Sequence, residues 1–219
     1  MLLTLAIVQT LAATAPAAGP VAARREDQAR LDRCIASIQT DAEAAYESAM
    51  SWAHNEHARE ATWCAAQALV KLERLEEAAR RFDALGADQG WAEDNRLDAY
   101  SQAGNTWLLA NNGAKAKISF DNAVRMSDNH PDALIDRARA YAMLRDWPKA
   151  EEDLSTALDA RENDALALML RATVRMNRGA FDLAVKDAED AARADPRNVD
   201  ALLVLGQARE AKRLGRAPD

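Results

Sequence analysis

Missing from this chain are the arrangements that reactive centres need: no glycine-rich phosphate loop, no Gly-x-Ser-x-Gly elbow, no His-Glu-x-x-His helix and no Cys-x-x-Cys pair. The nearest approach to a metal motif, His54-Asn55-Glu56-His57, is one residue short of the inverted zinc-protease pattern. It falls at an expected helix entry, so a solvated turn is the default reading, with Cys64 the one conceivable recruit to a zinc site. His130 precedes Pro131 and reads as a turn residue. The acidic pairs Glu76-Glu77 and Glu151-Glu152 are consecutive on expected helices and point apart, which excludes paired acid–base work. With no constellation for catalysis, no metal set and no cofactor motif, the expectation is a protein that is not an enzyme and holds no cofactor. Aromatic residues are scarce, at 5%, and no run of alternating β-branched residues suggests a strand. An excess of basic charge is also lacking, since 28 Lys and Arg face 35 Asp and Glu. Residues 1–23 carry no charged side chain, so the whole negative excess lies on the remainder. That argues against nucleic acid as a partner and against peripheral binding to anionic lipid.

What is present is a period. Stepping back 34 residues from Ala184 reaches Ala150 and then Ala116, and windows opening at Arg59, Leu97, Pro131, Ala165 and Val199 share one internal small position: Ala66, Gly104, Ala138, Ala172, Gly206. A second small position follows at Ala78, Ala116, Ala150 and Ala184, and a third site at Leu85, Ala123, Ala157 and Ala191, with Phe82, Phe120 and Leu154 between them in the first three windows. Small residues on the facing sides of two consecutive helices let their backbones approach, while bulky neighbours fill the groove between. Each window is therefore a helical hairpin, and copies must stack to bury their apolar faces. Turn-forming stretches separate them: Ser127-Asp128-Asn129-His130-Pro131, Glu162-Asn163-Asp164 and Asp195-Pro196-Arg197-Asn198.

On these residues, best kept in Ala138-Tyr141-Ala150-Leu154-Ala157 and Gly104-Trp107-Ala116-Phe120-Ala123, the chain resembles the tetratricopeptide repeat (TPR) family over residues 59–214. The resemblance implies an all-α fold, a right-handed α-solenoid of stacked antiparallel helix hairpins. The expected division is an export signal at 1–23, a divergent helical hairpin cap at 24–58, an array at 59–214 and a tail at 215–219. The array holds about three full repeats, a degenerate first repeat and a capping helix.

Within the repeats, Arg137 and Arg171 recur at one position, and sixteen residues after each stands Asp153 or Asp187. Where the arginine is missing so is the aspartate, since Ala103 is followed by Ser119 and Ala65 by Arg81. The covariation suggests charge-assisted pairs inside each hairpin, with Asp153→Ala expected to cost about 3 kcal/mol if the seam is dry.

The start of the chain, an uncharged apolar run followed by Thr14-Ala15-Pro16-Ala17-Ala18, reads as a secretory signal cleaved near Ala17. It lacks the usual leading lysine or arginine, and an uncleaved membrane anchor or a disordered tail are the alternatives. Export to the periplasm would permit a disulfide between Cys34 and Cys64, on first helices that lie side by side in this architecture. Two buried, unlinked thiols are the alternative. In the cap, Thr40 and Glu43 form a capping box ahead of Ala44. Four inserted residues in Gly86-Ala87-Asp88-Gln89-Gly90-Trp91 are expected to lengthen one turn, as a possible hinge. The last helix, Val199 to Leu214, contains Ala201-Leu202-Leu203-Val204-Leu205 and is apolar most of the way round, which hints at a cover.

The resemblance further implies that first helices line a concave face through their second, fifth, sixth, ninth, twelfth and thirteenth positions. Here those sites offer Asp98, Ser101, Gln102 and Asn105, then Asp132, Ile135, Asp136 and Arg139. Met169, Leu170, Thr173 and Met176 follow, and finally Leu203, Val204 and Gln207. The methionines, leucines and valine would make an adaptable apolar strip bordered by Asp132, Asp136, Asp200 and Glu210, suited to a segment with apolar anchors and a few basic residues. The alternative is that Ile135, Met169 and Leu203 pack on one another. A basic carboxylate clamp is unsupported, because its sites carry Ser101, Asp132, Asp136 and Leu170. The expected function is a non-catalytic adaptor that binds a protein or peptide partner. The alternative is a structural role in which the apolar terminal helix drives homo-oligomerisation.

Overall fold

The computed structural model describes residues 20–217 apart from residue 57. Most of the expected signal, residues 1–19, lies outside them, while its last four positions belong to the first helix. Among the described residues there are eleven helices and no strand. They are α1 (Pro20–Ile38), α2 (Ala42–Glu56), α3 (Arg59–Lys71), α4 (Leu75–Ala87), α5 (Glu93–Leu109), α6 (Gly113–Met126), α7 (Pro131–Met143), α8 (Trp147–Ala160), α9 (Ala165–Asn177), α10 (Phe181–Ala194) and α11 (Val199–Leu214). Consecutive helices pack as antiparallel hairpins, each hairpin on the next, and α11 packs on α9 and α10 in the place of a further first helix. None of these helices is long and apolar enough to cross a membrane.

The period has a direct physical expression. Ala138, Ala150 and Ala157 are buried in one central cluster with Tyr141 and Leu154. At the equivalent position of the preceding hairpin, a Cβ added to Gly104 would lie 2.4 Å from the Phe120 ring. The helices are thus spaced by side-chain volume at a few sites.

Helix ends are fixed by short-range bonds. Asn112, Asp146 and Asp164 each accept a hydrogen bond from the backbone N–H three residues on, and Pro131 opens α7. The turn inside each of the four hairpins from α3 to α10 carries a residue in the left-handed region at the same register: Glu73, Asn111, Arg145 and Gly179. After each, a backbone N–H reaches back to the carbonyl five residues earlier, as in Asp146 N to Tyr141 O at 2.9 Å. This is the closure by which a left-handed residue ends a helix.

Two local expectations change. In the cap it is Asp41, not Thr40, that accepts from the Ala44 N–H, at 3.0 Å, while the Thr40 hydroxyl donates back to the Ser37 carbonyl. The insertion before α5 scarcely lengthens the connection, which is Asp88 to Ala92. Instead α5 starts at Glu93 and runs 17 residues where α3, α7 and α9 run 13. An extra helical turn satisfies its own backbone groups, whereas a longer loop would not. The segment is braced rather than loose: Gly86 lies under the Tyr100 ring, and Asp88 accepts from Arg59 Nε at 2.6 Å and from the Gly90 N–H at 2.8 Å.

Candidate functional site

The seam between first and second helices holds the paired charges. Arg137 donates through Nε and Nη2 to both oxygens of Asp153, at 2.8 and 2.7 Å, and Arg171 does the same to Asp187 at 2.9 Å each. The third nitrogen of each arginine reaches sixteen residues back into the preceding hairpin, to Asp121 from Arg137 and to the Ser155 hydroxyl from Arg171. The arginines therefore tie repeats together as well as closing their own hairpin. Bonding to Asp153 raises the Arg137 pKa above the ordinary arginine value although burial opposes it. Asp187 also accepts from Arg175 Nη1 at 2.7 Å, and Arg175 Nε donates to Glu151 at 2.8 Å. Burial works hardest against ionising Glu151, but bonds from Arg175 and Arg178 together outweigh it and hold the carboxyl below its usual value. Where Ala103 stands in place of the arginine, Asp83 of the preceding hairpin accepts from the Ser119 hydroxyl at 2.6 Å and the Trp107 indole at 2.8 Å.

The concave positions divide into three groups. Asn105, Asp136 and Arg139 come together across α5 and α7, with Arg139 Nη1 donating to Asn105 Oδ1 at 2.7 Å and Asp136 Oδ1 at 2.9 Å. Burial raises the Asp136 pKa, an effect only partly offset by the Arg139 bond. Asp132 is exposed and pairs with Arg161. Met169 and Leu170 are half-buried against the central cluster, and Thr173 is exposed with its hydroxyl donating to the Met169 carbonyl. Two expected groove residues are not available to a partner: Ile135 is 3% exposed in the central cluster, and Met176 is 2% exposed among Ala172, Ala184, Ala188 and Ala208. Each sits where an adjacent helix covers it, so the apolar strip is narrower than the sequence implied.

The third group faces off the end of the array. Leu203, 57% exposed, and Gln207 line a cavity of about 400 Å³ on α11 with Leu202, Gly206, Glu210 and Leu214. Val204 is half-buried and packs inward with Ala208 and Ala211. A Cβ added to Gly206 would meet nothing within 4 Å, in contrast to Gly104 at the same repeat position. The side of α11 that a second helix would cover is open.

One expected link is present, and one feature escaped the sequence reading. Cys34 on α1 and Cys64 on α3 are joined, with their Cα atoms 6.2 Å apart, so the bond ties the first hairpin to the array. That link is the one expected from the sequence, whereas a cavity of about 200 Å³ shared by α1, α3 and the start of α5 was not foreseen. It is lined by Gln28, Leu31, Glu60, Trp63, Trp91, Asn95 and Asp98. Glu60, Trp63 and Asp98 occupy second and fifth positions of their windows, so the signal lay in extending the concave positions back by one repeat. Among the described residues no group of three or more His, Cys, Asp or Glu is placed to hold a metal.

A family model described as the coatomer epsilon subunit matches residues 18–180. No curated protein matches the chain. Among solved structures, a thermophilic TPR protein from Thermus thermophilus superposes with a TM-score of 0.58 at 20% identity, covering 84% of this chain and 99% of its own. YrrB, described as a TPR protein with an unusual peptide-binding site, gives 0.55 at 23% identity, covering 77% of this chain and 84% of its own. The second TPR domain of the human RPAP3 protein, solved with an HSP70 peptide, gives 0.50 at 19% identity, covering 54% of this chain and 98% of its own. These likenesses establish the fold as an all-α TPR solenoid.

Proposed function

The chain belongs to the coatomer epsilon subunit family, and from that footing we propose that it is a non-catalytic scaffold that holds a protein or peptide segment along its concave face. The observation that carries this is the face itself. Side chains of neighbouring first helices meet there, as Asn105, Asp136 and Arg139 do, and half-buried Met169 and Leu170 follow on the next first helix. Aligned helix faces with alternating polar and apolar handles suit an extended or helical segment with apolar anchors and basic flanks. A Cys34–Cys64 bond supports residence in an oxidising compartment, and export to the periplasm is the corresponding proposal.

The test is photocrosslinked capture with the full chain from extract of the source cells. Leu170→Asp and Asp136→Arg should lose the captured protein. Ile118→Asp and Leu183→Asp, exposed sites on second helices, should keep it. The opposite pattern sinks the reading. A second reading, self-association through α11, is favoured by the uncovered Leu202, Leu203 and Leu214. Sedimentation at two concentrations discriminates, because a mass that doubles with concentration and reverts in Leu203→Glu supports the second reading, and a constant monomer supports the first.

A further inference from the structure

Adjacent first helices pack directly at α1 and α3, α5 and α7, α7 and α9, and α9 and α11, but α3 and α5 scarcely touch. Two indoles stand in the gap. Trp63, from α3, packs edge-on against Phe82 at 5.2 Å and against Trp91 at 5.9 Å, with Trp91 supplied by the connection before α5. Leu31 and Gln28 of α1 close one side, and Glu60, Asn95 and Asp98 bring polar atoms to the rim of the cavity they share. The space continues into a larger one of about 730 Å³ that shares Glu60, Trp91 and Asn95.

The described lining of this site carries two carboxylates and no lysine or arginine. Among the described residues no side chain forms an ion pair with Glu60 or Asp98. Arg59, which lines the adjoining space, feels the charge of Glu60 but is bonded to Asp88. Partial burial raises the Asp98 pKa and repulsion from Asp94 adds to it, as expected of a carboxylate without a cation. An aromatic wall beside Glu60 and Asp98, in a recess lined by no lysine or arginine among the described residues, complements a cation on an apolar stem. The indole faces attract the charge and cover the methylenes, and the carboxylates hold the head group.

We propose that this recess is the receptor for one basic side chain of the bound segment, with arginine preferred over lysine because its planar guanidinium both stacks on indole and bonds carboxylates in pairs. The assignment rests on the concave-face reading and deepens it, giving the partner a basic residue at the end of the groove nearest the disulfide.

The test uses the intact, oxidised chain and the capped tripeptide acetyl-Ala-Arg-Ala-amide, followed through the indole N–H resonances, which Trp63→Phe and Trp91→Phe identify. The Trp63 and Trp91 signals should move saturably while Trp107 stays still. The lysine tripeptide should bind more weakly, and the uncharged citrulline tripeptide should leave the signals in place. The double variant Glu60→Gln, Asp98→Asn should weaken arginine binding at least about tenfold with its thermal midpoint kept, as expected when both carboxylate contacts are lost. Equal shifts with citrulline, an unweakened double variant, or no saturable shift by about 20 mM peptide, a concentration that even a few kcal/mol of attraction would reach, overturns the proposal. Any of these leaves the concave-face reading standing, because that is decided separately by capture with the Leu170 and Asp136 variants.

Discussion

Asp187 accepts bonds from two arginines while only 2% of its side chain meets solvent, whereas Asp153 shares Arg137 with Asp121 and Arg137 is itself 20% exposed. Removing one partner of a buried ion pair is damaging because the other is left charged and unpaired. Asp187→Ala should therefore cost about 3–4 kcal/mol, and Asp153→Ala only about 2 kcal/mol because Asp121 remains to receive Arg137. The figure of about 3 kcal/mol reached from sequence for Asp153 falls for that reason. Urea unfolding of the two variants checks the order, and the reverse order refutes this account of the seam. Glu151 supplies the pH dependence. Its native pKa lies below the ordinary 4.5, so its contribution is complete above 4.5 and is lost as pH falls through the lowered native value. Glu151→Gln should flatten the acid limb of stability against pH, which denaturation at a series of acid pH values measures.

Among the elements, the repeat position occupied by Gly104 and Gly206 separates packing from propensity. A methyl at Gly104 must push the Phe120 ring aside, which typically costs about 1–3 kcal/mol and exceeds the gain of about 1 kcal/mol in helix propensity. Gly104→Ala should thus destabilise by about 1 kcal/mol, while Gly206→Ala, meeting nothing, should stabilise by about the same amount. Thermal melts of both would show shifts of opposite sign, and a loss of stability in Gly206→Ala would mean that α11 is covered in solution. The elements also show how far the sequence could be read. Helices α3, α7, α9 and α11 begin at Arg59, Pro131, Ala165 and Val199, the window starts set by the 34-residue period. Helix α5 begins a turn before Leu97 because inserted residues can extend a helix as readily as a loop, and residue type alone does not choose. Glu73 and Arg145 take left-handed backbone that neither residue favours, so nothing in their identity announced the turn that their neighbours impose.

At the scale of the molecule, the array is a line of neighbour contacts, so a covalent link between non-consecutive helices has an effect that no single hairpin has. The Cys34–Cys64 bond closes a 30-residue separation between α1 and α3. Reduction, or Cys34→Ser with Cys64→Ser, should cost on the order of 3 kcal/mol and release the first hairpin before the rest. Hydrogen exchange would report this as lost protection in α1 and α2 with α7 to α10 unchanged, and uniform loss would show instead that the array unfolds as one unit. The concave residues illustrate the same scale. Asn105 and Arg139 are one period apart and do meet, while Ile135 and Met176, chosen by the same positional rule, are covered by the neighbouring helix.

The sequence by itself determined the hairpin and its repetition, because how closely two helices approach depends on the volume of a few side chains at fixed spacing. It also pointed to the Arg137–Asp153 and Arg171–Asp187 partners, which share a hairpin and hence a local geometry. Only the tertiary structure decided which of the concave residues stay open, how each arginine reaches into the preceding repeat, and that Trp63 and Trp91 enclose a recess beside Glu60 and Asp98. Those features depend on the rotation from one hairpin to the next. That angle is the sum of many small packing contacts between repeats and is not carried by any residue's place within one.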